Sequence, residues 1–336
     1  MSTTTSTQWH LVARPVGEPT TDDVQRVVVD LPELADGEVR VQNAYLSVDP
    51  YMRGRMNDVK SYVPPFALGE AMTGGAIGTV VESRDDALAV GTTVQHDLGW
   101  RDVAQGPSSA FRVVDPAPGV ELSAYLGALG LTGLTAWVGL TEIARIREGD
   151  VVFVSGAAGA VGTMVGQIAR LKGASRVVGS AGSAEKVELL TSKYGFDAAF
   201  DYKQGDVAGQ LAEAAPDGID VYFDNVGGDH LSAALGAFRD GGRAALCGAI
   251  AGYNATGEPV GVTGTTNIVT RGLTLQGFTL GNYAHLAPAF REDLGPWLAE
   301  GRLVWDETVT EGIDSAFDAF TGMMRGANVG KMVVRV

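Results

Sequence analysis

Hydrophobic and polar residues alternate in two different ways along the 336-residue chain. Up to about residue 130, short β-like runs are separated by turns rich in glycine, proline and aspartate, which favours a compact, partly open β-barrel. From residue 151 onward, apolar strand-like runs alternate with amphipathic helical segments, a pattern typical of a doubly wound parallel sheet. The pattern therefore predicts an α/β protein with a barrel domain and a parallel-sheet domain.

The same patterns place the individual elements. In the first domain we expect strands near 9–13, 24–30, 38–44, 77–82, 92–97 and 109–114, then a helix over 126–143. In the second we expect strands near 151–155, 176–180, 198–200, 219–223, 243–248 and 273–278, with helices near 160–172, 184–194, 206–215, 229–238 and 284–300. Ser183 and Asp229 are suitable helix N-caps.

The end of the chain reads as a strand near 303–308, an amphipathic helix over 313–324 and an apolar strand at 332–336. Because this tail follows a complete parallel sheet, we expect it to return to the first domain. The predicted domains are therefore residues 1–130 with 305–336, and residues 131–304.

A glycine turn between a strand and a helix carries the first functional signal. Val151–Val154 is a continuous apolar run, as expected of a strand buried on both faces. Gly159 and Gly162 then stand where the second and third glycines of a G-x-G-x-x-G turn belong, whereas Ala157 occupies the first position. A helix begins directly after this turn, so its N-terminal N–H groups are placed to bind a pyrophosphate. We therefore predict a dinucleotide site.

The second strand of the sheet indicates which dinucleotide binds. NAD-binding units commonly carry an acidic residue at the end of this strand, which accepts from the ribose hydroxyls. Here the strand ends Val-Val-Gly-Ser-Ala-Gly182 without an acid, and Lys186 follows on the next helix. The missing acid and the nearby cation favour a ribose 2′-phosphate and hence NADPH, although Lys186 can equally be a solvated helix residue.

Composition and charge exclude several other classes of function. A net charge of −15 argues against nucleic acid or an anionic membrane as partner, since both need clustered cations. The single cysteine, Cys247, excludes internal disulfides and multi-cysteine zinc sites, and its apolar run favours a buried strand position over a nucleophile. None of the four histidines is spaced as a ligand pair, so no metal site is expected. The N-terminus shows no signal-peptide pattern, which makes the cytoplasm the expected location.

Three loop stretches contain residues suited to binding or catalysis. Tyr51 and Tyr62 lie in aromatic, proline-containing stretches of the first domain and are interpreted as walls of a substrate pocket. Arg53 and Arg55 could meet a substrate carboxylate, but surface ion pairing is the simpler interpretation for both. The glycine-rich connection 249–265 is long for a compact domain and begins at the ligand-binding edge of the sheet, with Tyr253 near its start.

Several motifs together resemble a known family. They are Asp49-Pro-Tyr-Met-Arg-Gly-Arg55, Gly156-Ala-Ala-Gly-Ala-Val-Gly162, Gly182-Ser-Ala-Glu-Lys186, Tyr222-Phe-Asp-Asn-Val-Gly-Gly228, Cys247-Gly-Ala-Ile-Ala-Gly-Tyr-Asn254 and Asn328-Val-Gly-Lys331. In this order they resemble the zinc-independent medium-chain dehydrogenase/reductases, in the branch of prostaglandin, alkenal double-bond and curcumin reductases. The resemblance implies a GroES-like barrel domain, a Rossmann NADPH-binding domain and a homodimer joined through the edge strand near 273–278.

The resemblance also implies the residues of the cofactor site. Ala158 to Val161 would face the pyrophosphate, and Lys186 and Tyr202 would meet the 2′-phosphate. The implied set is Ala158, Gly159, Ala160, Val161, Gly162, Lys186, Tyr202, Asn225, Cys247, Gly248, Ala249, Ile250, Tyr253, Phe278, Thr279, Leu280 and Asn328. Zinc-dependent relatives carry a Gly-His-Glu motif, whereas this chain has Gly69-Glu70 without a histidine, which indicates reduction without a metal.

The implied reaction is reduction of the C=C bond of an α,β-unsaturated ketone or aldehyde. Hydride from NADPH goes to the β-carbon, and the resulting enolate needs a hydrogen-bond donor, for which Tyr253 is the candidate. The α-carbon then takes a proton from Tyr253, Tyr62 or water. Two alternatives stay open: an NADPH:quinone oxidoreductase of the same fold and a non-catalytic NADPH-binding protein.

Overall fold

The computed structural model describes residues 4–257 and 261–336. It divides the chain into two compact units, which we call the N-terminal unit and the parallel-sheet unit. The N-terminal unit comprises Met1–Gly127, Glu307–Asn328 and Met332–Val336, and the parallel-sheet unit comprises Ala128–Asp306 and Val329–Lys331. No helix within the described ranges has the length and apolar character needed to cross a membrane.

The described strands lie, in chain order, at β1 (Thr5–Leu11), β2 (Val24–Asp30), β3 (Glu38–Ser47), β4 (Glu70–Ala71), β5 (Ala76–Ser83), β6 (Thr93–His96), β7 (Val103–Pro107), β8 (Arg112–Val113), β9 (Val151–Val154), β10 (Arg176–Ala181), β11 (Ala198–Asp201), β12 (Ile219–Asp224), β13 (Phe238–Leu246), β14 (Thr274–Gly277), β15 (Glu307–Glu311) and β16 (Lys331–Arg335). The α-helices lie at α1 (Tyr51–Arg55), α2 (Leu131–Val138), α3 (Ala160–Leu171), α4 (Ala184–Ser192), α5 (Val207–Ala214), α6 (Gly228–Ala237), α7 (Thr266–Thr270), α8 (Ala287–Ala299) and α9 (Ala316–Met324).

The N-terminal unit is built from two sheets. One has the strand order β2-β1-β4, and the other has the order β15-β16-β3-β5-β6-β8 with β7 paired to β3. The final strand β16 runs antiparallel to β3, with Val333 opposite Ser47. Helix α9 places Phe317 and Phe320 in the same apolar core as Trp100, so the end of the chain helps to fill the centre of this unit.

The parallel-sheet unit contains one six-stranded sheet of order β11-β10-β9-β12-β13-β14. Its neighbouring strands are parallel throughout. The burial of the central strand β9 explains its continuous apolar run. Val152 and Val154 belong to one core cluster, and Val151 and Phe153 belong to another. A strand covered on both faces needs apolar residues at every position. The prediction of an α/β fold with a doubly wound parallel sheet is confirmed.

Some predicted elements are confirmed and others are wrong. Ser183 caps α4, because its Oγ accepts from the Lys186 N–H at 3.3 Å. Asp229 is not an N-cap, since Gly227, with φ of 74°, holds that position in α6. The helix predicted over 126–143 starts only at Leu131, because the backbone at Gly130 is not helical, and it continues into a π turn at Gly139–Ile143.

Two strand predictions in the N-terminal unit also need correction. The strand predicted near 303–308 lies at Glu307–Glu311, because Leu303 is buried in the core of the parallel-sheet unit. The strand predicted at 109–114 is reduced to the two residues of β8. Strand β7 was not predicted, because its glycine and proline suggest a turn, and its pairing with the distant β3 stabilises it instead.

Two helical glycines form a matched test of packing in the parallel-sheet unit. A Cβ at Gly133 in α2 would lie 1.9 Å from the backbone oxygen of Ala128, whereas a Cβ at Gly236 in α6 would meet nothing within 4 Å. We expect Gly133→Ala to lower the free energy of unfolding by about 1–3 kcal/mol through overpacking. Gly236→Ala should raise it by up to about 1 kcal/mol through helix propensity.

Denaturant unfolding of both variants, followed by circular dichroism, measures the two effects. Equal midpoints for Gly133→Ala and Gly236→Ala would contradict the packing of α2 described here.

Candidate active site

The glycine turn after β9 depends on the absence of a Cβ atom at its glycines. A Cβ at Gly162 would lie 2.5 Å from the backbone oxygen of Gly156 and 2.6 Å from the Cα of Ala157, so only glycine lets α3 start this close to the turn. Gly156 itself has φ of 60°, in the left-handed region. Gly159 is the N-cap of α3 and has no side chain to accept from the helix N-terminus, so the first N–H groups of α3 remain available to a ligand.

Ala157, at the first motif position, fits because its neighbour on β10 is a glycine, Gly179. The Ala157 side chain is buried, and its backbone N–H donates to the Ser180 oxygen at 2.9 Å. A Cβ at Gly179 on β10 would lie 2.8 Å from the Cβ of Ala157. The space that a glycine at position 157 would leave empty is therefore filled by a methyl group that packs against Gly179.

A short segment from near the end of the chain fixes the other side of the turn. The Gly330 N–H donates to the Ala158 oxygen at 2.9 Å, and Gly330 forms a β-bridge with Gly159. Gly330 has φ of 63°, and a Cβ there would lie 2.0 Å from the Asp306 oxygen. These residues all belong to the parallel-sheet unit, so the segment Val329–Lys331 acts as part of the turn's support. Asn328, the preceding residue, belongs to the N-terminal unit.

The ends of β10 and β11 bring a second group of predicted residues together. Ala181 pairs with Asp201, so the residues after these strands lie side by side. The position of a Cβ at Gly182 would be 3.1 Å from the Tyr202 hydroxyl oxygen. Lys186 lies on the first turn of α4, directly after Gly182 and the Ser183 cap, and burial together with the Lys203 charge lowers the pKa of its ammonium group. Lys186 and Tyr202 thus lie at the same edge of the sheet.

A buried carboxylate organises the end of β12. Oδ1 of Asp224, whose residue is 2% exposed, accepts from the Tyr222 hydroxyl at 2.7 Å, the Val226 N–H at 2.9 Å and the Gly227 N–H at 2.7 Å. It also accepts from the Ser155 hydroxyl at 3.2 Å. Burial and the Asp224 charge raise the pKa of Tyr222, which keeps this phenol a donor. Four donors thereby compensate a buried charge and fix the loop that contains Asn225.

This loop in turn holds the segment that leads to Tyr253. The Asp224 backbone oxygen accepts from the N–H groups of Cys247 at 2.9 Å and Gly248 at 3.0 Å, and the Asn225 oxygen accepts from Ile250 N–H at 3.3 Å. Asn225 also donates from its side-chain amide to the Ser155 oxygen at 2.8 Å.

Tyr253 folds back over this segment. Its hydroxyl oxygen accepts from the Ala249 N–H at 3.5 Å, which leaves the phenolic proton available to donate. Burial raises its pKa above the ordinary value of 10.0, so the phenol is protonated at neutral pH. The structure therefore brings the predicted residues Asn225, Cys247, Gly248, Ala249, Ile250 and Tyr253 together.

The remaining predicted residues of the parallel-sheet unit follow β14. The Phe278 N–H donates to the Leu246 oxygen at 3.4 Å, which holds the start of Phe278, Thr279 and Leu280 beside the end of β13. The Phe278 ring meets the Phe223 ring edge-on, with centroids 6.3 Å apart. All predicted cofactor residues except Asn328 thus follow the carboxyl ends of six parallel strands. Residues 258–260 of the predicted connection 249–265 lie outside the described residues.

Tyr51 and Tyr62 lie in the N-terminal unit, around Arg55. Tyr51 hydrogen-bonds to the Arg55 side chain, and burial followed by the Asp49 charge raises the pKa of its phenol. Tyr62 is 65% exposed and close enough to both groups to influence them electrostatically. Arg55 donates to the backbone oxygens of Pro64 at 2.9 Å and Thr73 at 3.1 Å, so the interpretation of a surface ion pair is wrong.

Arg53 does not lie on the surface either. This residue is 3% exposed, and its guanidinium donates to the Gly17 backbone oxygen at 2.7 Å and to the Asn57 side chain at 2.7 Å. These hydrogen bonds hold the Arg53 side chain inside the loop without a ligand.

Sequence reasoning missed several residues that support the site. Asp224 belongs to the run Tyr222-Phe-Asp-Asn-Val-Gly-Gly228, but only Asn225 was singled out there. An acid that ends an apolar strand and precedes two glycines was the available signal. Ser155 and Gly330 gave no signal, because their partners are far away in the chain. Across the described residues, no three histidine, cysteine or acidic side chains form a group that could hold a metal ion.

Cys247 lies directly after β13 and is only partly buried, so the prediction of a buried strand position is wrong. Its thiol can be tested directly. Burial, and then the Asp224 charge, raises its pKa from the ordinary 9.0 to about 12. Because the thiolate is the reactive form, the reactive fraction near pH 8 should be about 1,000-fold smaller in the folded protein than in the unfolded chain. We expect an aromatic disulfide reagent to modify the native protein very slowly and the guanidinium-unfolded protein at once. Equal rates would contradict the raised pKa of this thiol.

Comparison with known proteins adds the following similarities. Residues 7–114 match a family described as the N-terminal domain of oxidoreductase, and residues 160–299 match one described as zinc-binding dehydrogenase. The chain is 42% identical to a 2-alkenal reductase (NADP(+)-dependent) of Nicotiana tabacum, over 94% of this chain and 92% of that protein. It is 38% identical to the NADPH-dependent curcumin reductase of Escherichia coli, over 98% and 96%. The crystal structure of CurA in complex with NADPH from Vibrio vulnificus superposes with a TM-score of 0.93 at 40% identity, over 98% of this chain and 99% of that chain.

Proposed function

The chain belongs to the medium-chain dehydrogenase/reductase family, in the branch of the curcumin, 2-alkenal and prostaglandin reductases, and from this we propose that it reduces the C=C bond of α,β-unsaturated ketones and aldehydes with NADPH. The observation that carries the proposal is the edge of the six-stranded sheet. The carboxyl ends of its parallel strands are followed by the glycine turn, Lys186, Tyr202 and Tyr253. Parallel sheets bind ligands at this edge.

The residues of this edge fit NADPH. Gly159 and Gly162 leave the backbone of the turn open to the pyrophosphate, and the uncapped N-terminus of α3 supplies N–H donors. Lys186 and Tyr202 would hold the 2′-phosphate at the ends of β10 and β11. Asn225, the Cys247–Ile250 stretch, Phe278 to Leu280 and Asn328 would line the rest of the cofactor. The glycine at position 162 supports this assignment, because a Cβ there would clash with the Gly156 oxygen and push the start of α3 away from the turn.

Tyr253 is the proposed catalytic residue. When bound, NADPH supplies the hydride that adds to the β-carbon of the substrate. Negative charge then develops on the carbonyl oxygen, and the Tyr253 hydroxyl donates a hydrogen bond to it. Two features support this role: its oxygen already accepts from Ala249 N–H, and its raised pKa keeps the proton in place. A donor aimed at developing charge in a partly buried site stabilises the transition state more than it would in water.

The raised pKa of Tyr253 bears on the source of the proton that the α-carbon takes up. A phenol whose pKa lies above 10.0 is a poor acid at neutral pH, so hydrogen bonding is the better supported role for Tyr253. Tyr62, which is 65% exposed on the N-terminal unit, or water would then protonate the α-carbon. We assign Tyr51 and Tyr62 to the wall of the substrate pocket.

We propose that the reaction needs no zinc. The name of the family that matches residues 160–299 includes zinc binding, but the donor set of this chain does not suit it. Gly69-Glu70 lacks the histidine of the Gly-His-Glu ligand motif, and Cys247 is the single cysteine. The task that zinc would perform on a carbonyl oxygen falls to the Tyr253 hydroxyl. One cysteine also accords with a reducing compartment, and we propose the cytoplasm.

Replacement of Tyr253 tests the proposed reaction. We expect Tyr253→Phe to lower kcat by about 100- to 1,000-fold, since one oxyanion donor is lost, and to leave KM for NADPH nearly unchanged. Because the pKa of Tyr253 is raised, wild-type kcat should show no loss from this group between about pH 6 and about pH 9. Steady-state assays with an enone and NADPH measure both.

A matched variant and a second substrate sharpen the test. Tyr125→Phe removes a hydroxyl that accepts from Ala117 N–H within the N-terminal unit, and it should retain wild-type kcat. Full activity of Tyr253→Phe with the enone would refute the catalytic role. Faster NADPH oxidation with a quinone than with any enone, unaffected by Tyr253→Phe, would identify a quinone reductase instead.

We also propose a homodimer in which β14 of one subunit pairs with β14 of a second. β14 is one of the two edge strands of the six-stranded sheet, and Thr274, Gln276 and Gly277 are exposed on it. An uncovered edge offers unpaired backbone groups to another strand.

Charge on the edge strand tests this dimer. Gln276→Lys would place two like charges near a two-fold axis, and we expect it to shift the protein to monomers in sedimentation velocity. Val309→Lys, at an exposed position of β15, an edge strand in the N-terminal unit, is the control and should remain dimeric. A monomeric wild type, or a dimer that Gln276→Lys leaves intact, would refute the proposed interface.

A further inference from the structure

A second lysine lies at the ends of β10 and β11, next to Lys186. Lys203 follows Tyr202 in the turn after β11, and its Cε would lie 3.2 Å from a Cβ at Gly182. The same Cβ would lie 3.1 Å from the Tyr202 hydroxyl oxygen. Gly182 therefore leaves open a space on which the Tyr202 hydroxyl and the Lys203 side chain converge. Lys186 lies four residues after Gly182, on the first turn of α4, and burial followed by the Lys203 charge lowers the pKa of its ammonium group.

The acidic groups nearby do not neutralise Lys203. The Asp201 carboxylate accepts from the Lys203 backbone N–H at 3.0 Å and from the Gln204 amide at 3.4 Å, so it caps the turn. Glu185 acts on Lys186, where its effect is smaller than that of Lys203. Within the described part of the chain, the Lys203 ammonium forms no salt bridge, and its Nζ lies 5.9 Å from the centroid of the Tyr202 ring.

Two ammonium groups on one small surface repel each other, and this protein carries a net charge of −15. The Lys203 ammonium has no salt bridge among the described residues and lies near the Lys186 charge, so it calls for another counter-charge. A phosphate monoester is a suitable one, because it carries nearly two negative charges and three acceptor oxygens. The Tyr202 hydroxyl provides a third donor at the same place.

We propose that Lys203 is a specificity-determining residue that contacts the 2′-phosphate of NADPH together with Lys186 and Tyr202. This inference rests on the proposed function, because it presumes a pyridine dinucleotide at this edge. It assigns different tasks to the two lysines. Lys186 is partly buried on α4 and fixed in position, whereas Lys203 is exposed and contributes mainly through its charge. The contribution of Lys203 should therefore weaken as salt is added.

The test measures cofactor binding without turnover. Tryptophan fluorescence titrations of the full chain with NADPH and with NADH give two dissociation constants for each variant. We expect Lys203→Met to weaken NADPH binding about tenfold in low salt, as loss of one charge-assisted contact predicts. NADH binding should stay within about twofold, because NADH carries no phosphate at this position. Lys203→Arg, which keeps the charge, should retain most of the preference.

Adenosine 2′-monophosphate and adenosine 5′-monophosphate serve as simpler probes, and only binding of the former should depend on Lys203. The control Lys60→Met removes the same charge from an exposed lysine of the N-terminal unit and should leave both dissociation constants unchanged. Equal loss of NADPH and NADH affinity in Lys203→Met, or no loss of either, would overturn the inference while leaving the proposed function intact. A wild-type protein that binds neither dinucleotide would refute the proposed function and this inference together.

Discussion

The buried carboxylate of Asp224 is the interaction on which the site depends. Its Oδ1 accepts from two backbone N–H groups of the next loop and from the hydroxyls of Tyr222 and Ser155. A buried charge without such donors would cost several kcal/mol, so the loop cannot move away from it without a large penalty. The backbone oxygen of the same residue holds the N–H groups of Cys247 and Gly248. One residue thereby ties the ends of β9, β12 and β13 together.

This constraint explains how a glycine-rich stretch can hold Tyr253 in a fixed position. The segment that begins at Cys247 is bound to the loop after β12 by a series of backbone hydrogen bonds. Within this segment, the Tyr253 hydroxyl oxygen accepts from the Ala249 N–H. On the other side of the sheet centre, Gly330 holds the glycine turn through Ala158. Both supports come from backbone groups, which keep their geometry better than long side chains do. A site for hydride transfer needs such precision, because reactivity depends steeply on the placement of the reacting atoms.

Local patterns in the sequence predicted much of this arrangement. The uninterrupted apolar run of β9, the glycines at 159 and 162 and the Ser183 cap each act within a few residues, and the structure confirms the turn, the helix and the cap. The sequence also placed six strands of the parallel sheet, because buried strands are nearly continuous apolar runs.

What the sequence did not show depends on contacts between distant residues. Strand β7 is stabilised by β3, some sixty residues earlier, so its own glycine and proline mislead. The acceptor role of Asp224 depends on Ser155, and the role of Gly330 depends on Ala158 and Asp306. The predicted helix 126–143 was too long because small residues are compatible with a helix locally, whereas Gly130 adopts a non-helical backbone conformation that delays the start of the helix to Leu131.

The central claim is that this site delivers hydride from NADPH to the β-carbon of a conjugated carbonyl compound. The most direct measurement is NMR of the product formed from an enone with NADPH that carries deuterium at C4 of the nicotinamide. Our account predicts a saturated ketone with one deuterium on the β-carbon and none on the carbonyl carbon. An allylic alcohol with deuterium on the carbonyl carbon, or NADPH oxidation that leaves the enone unchanged, would contradict it.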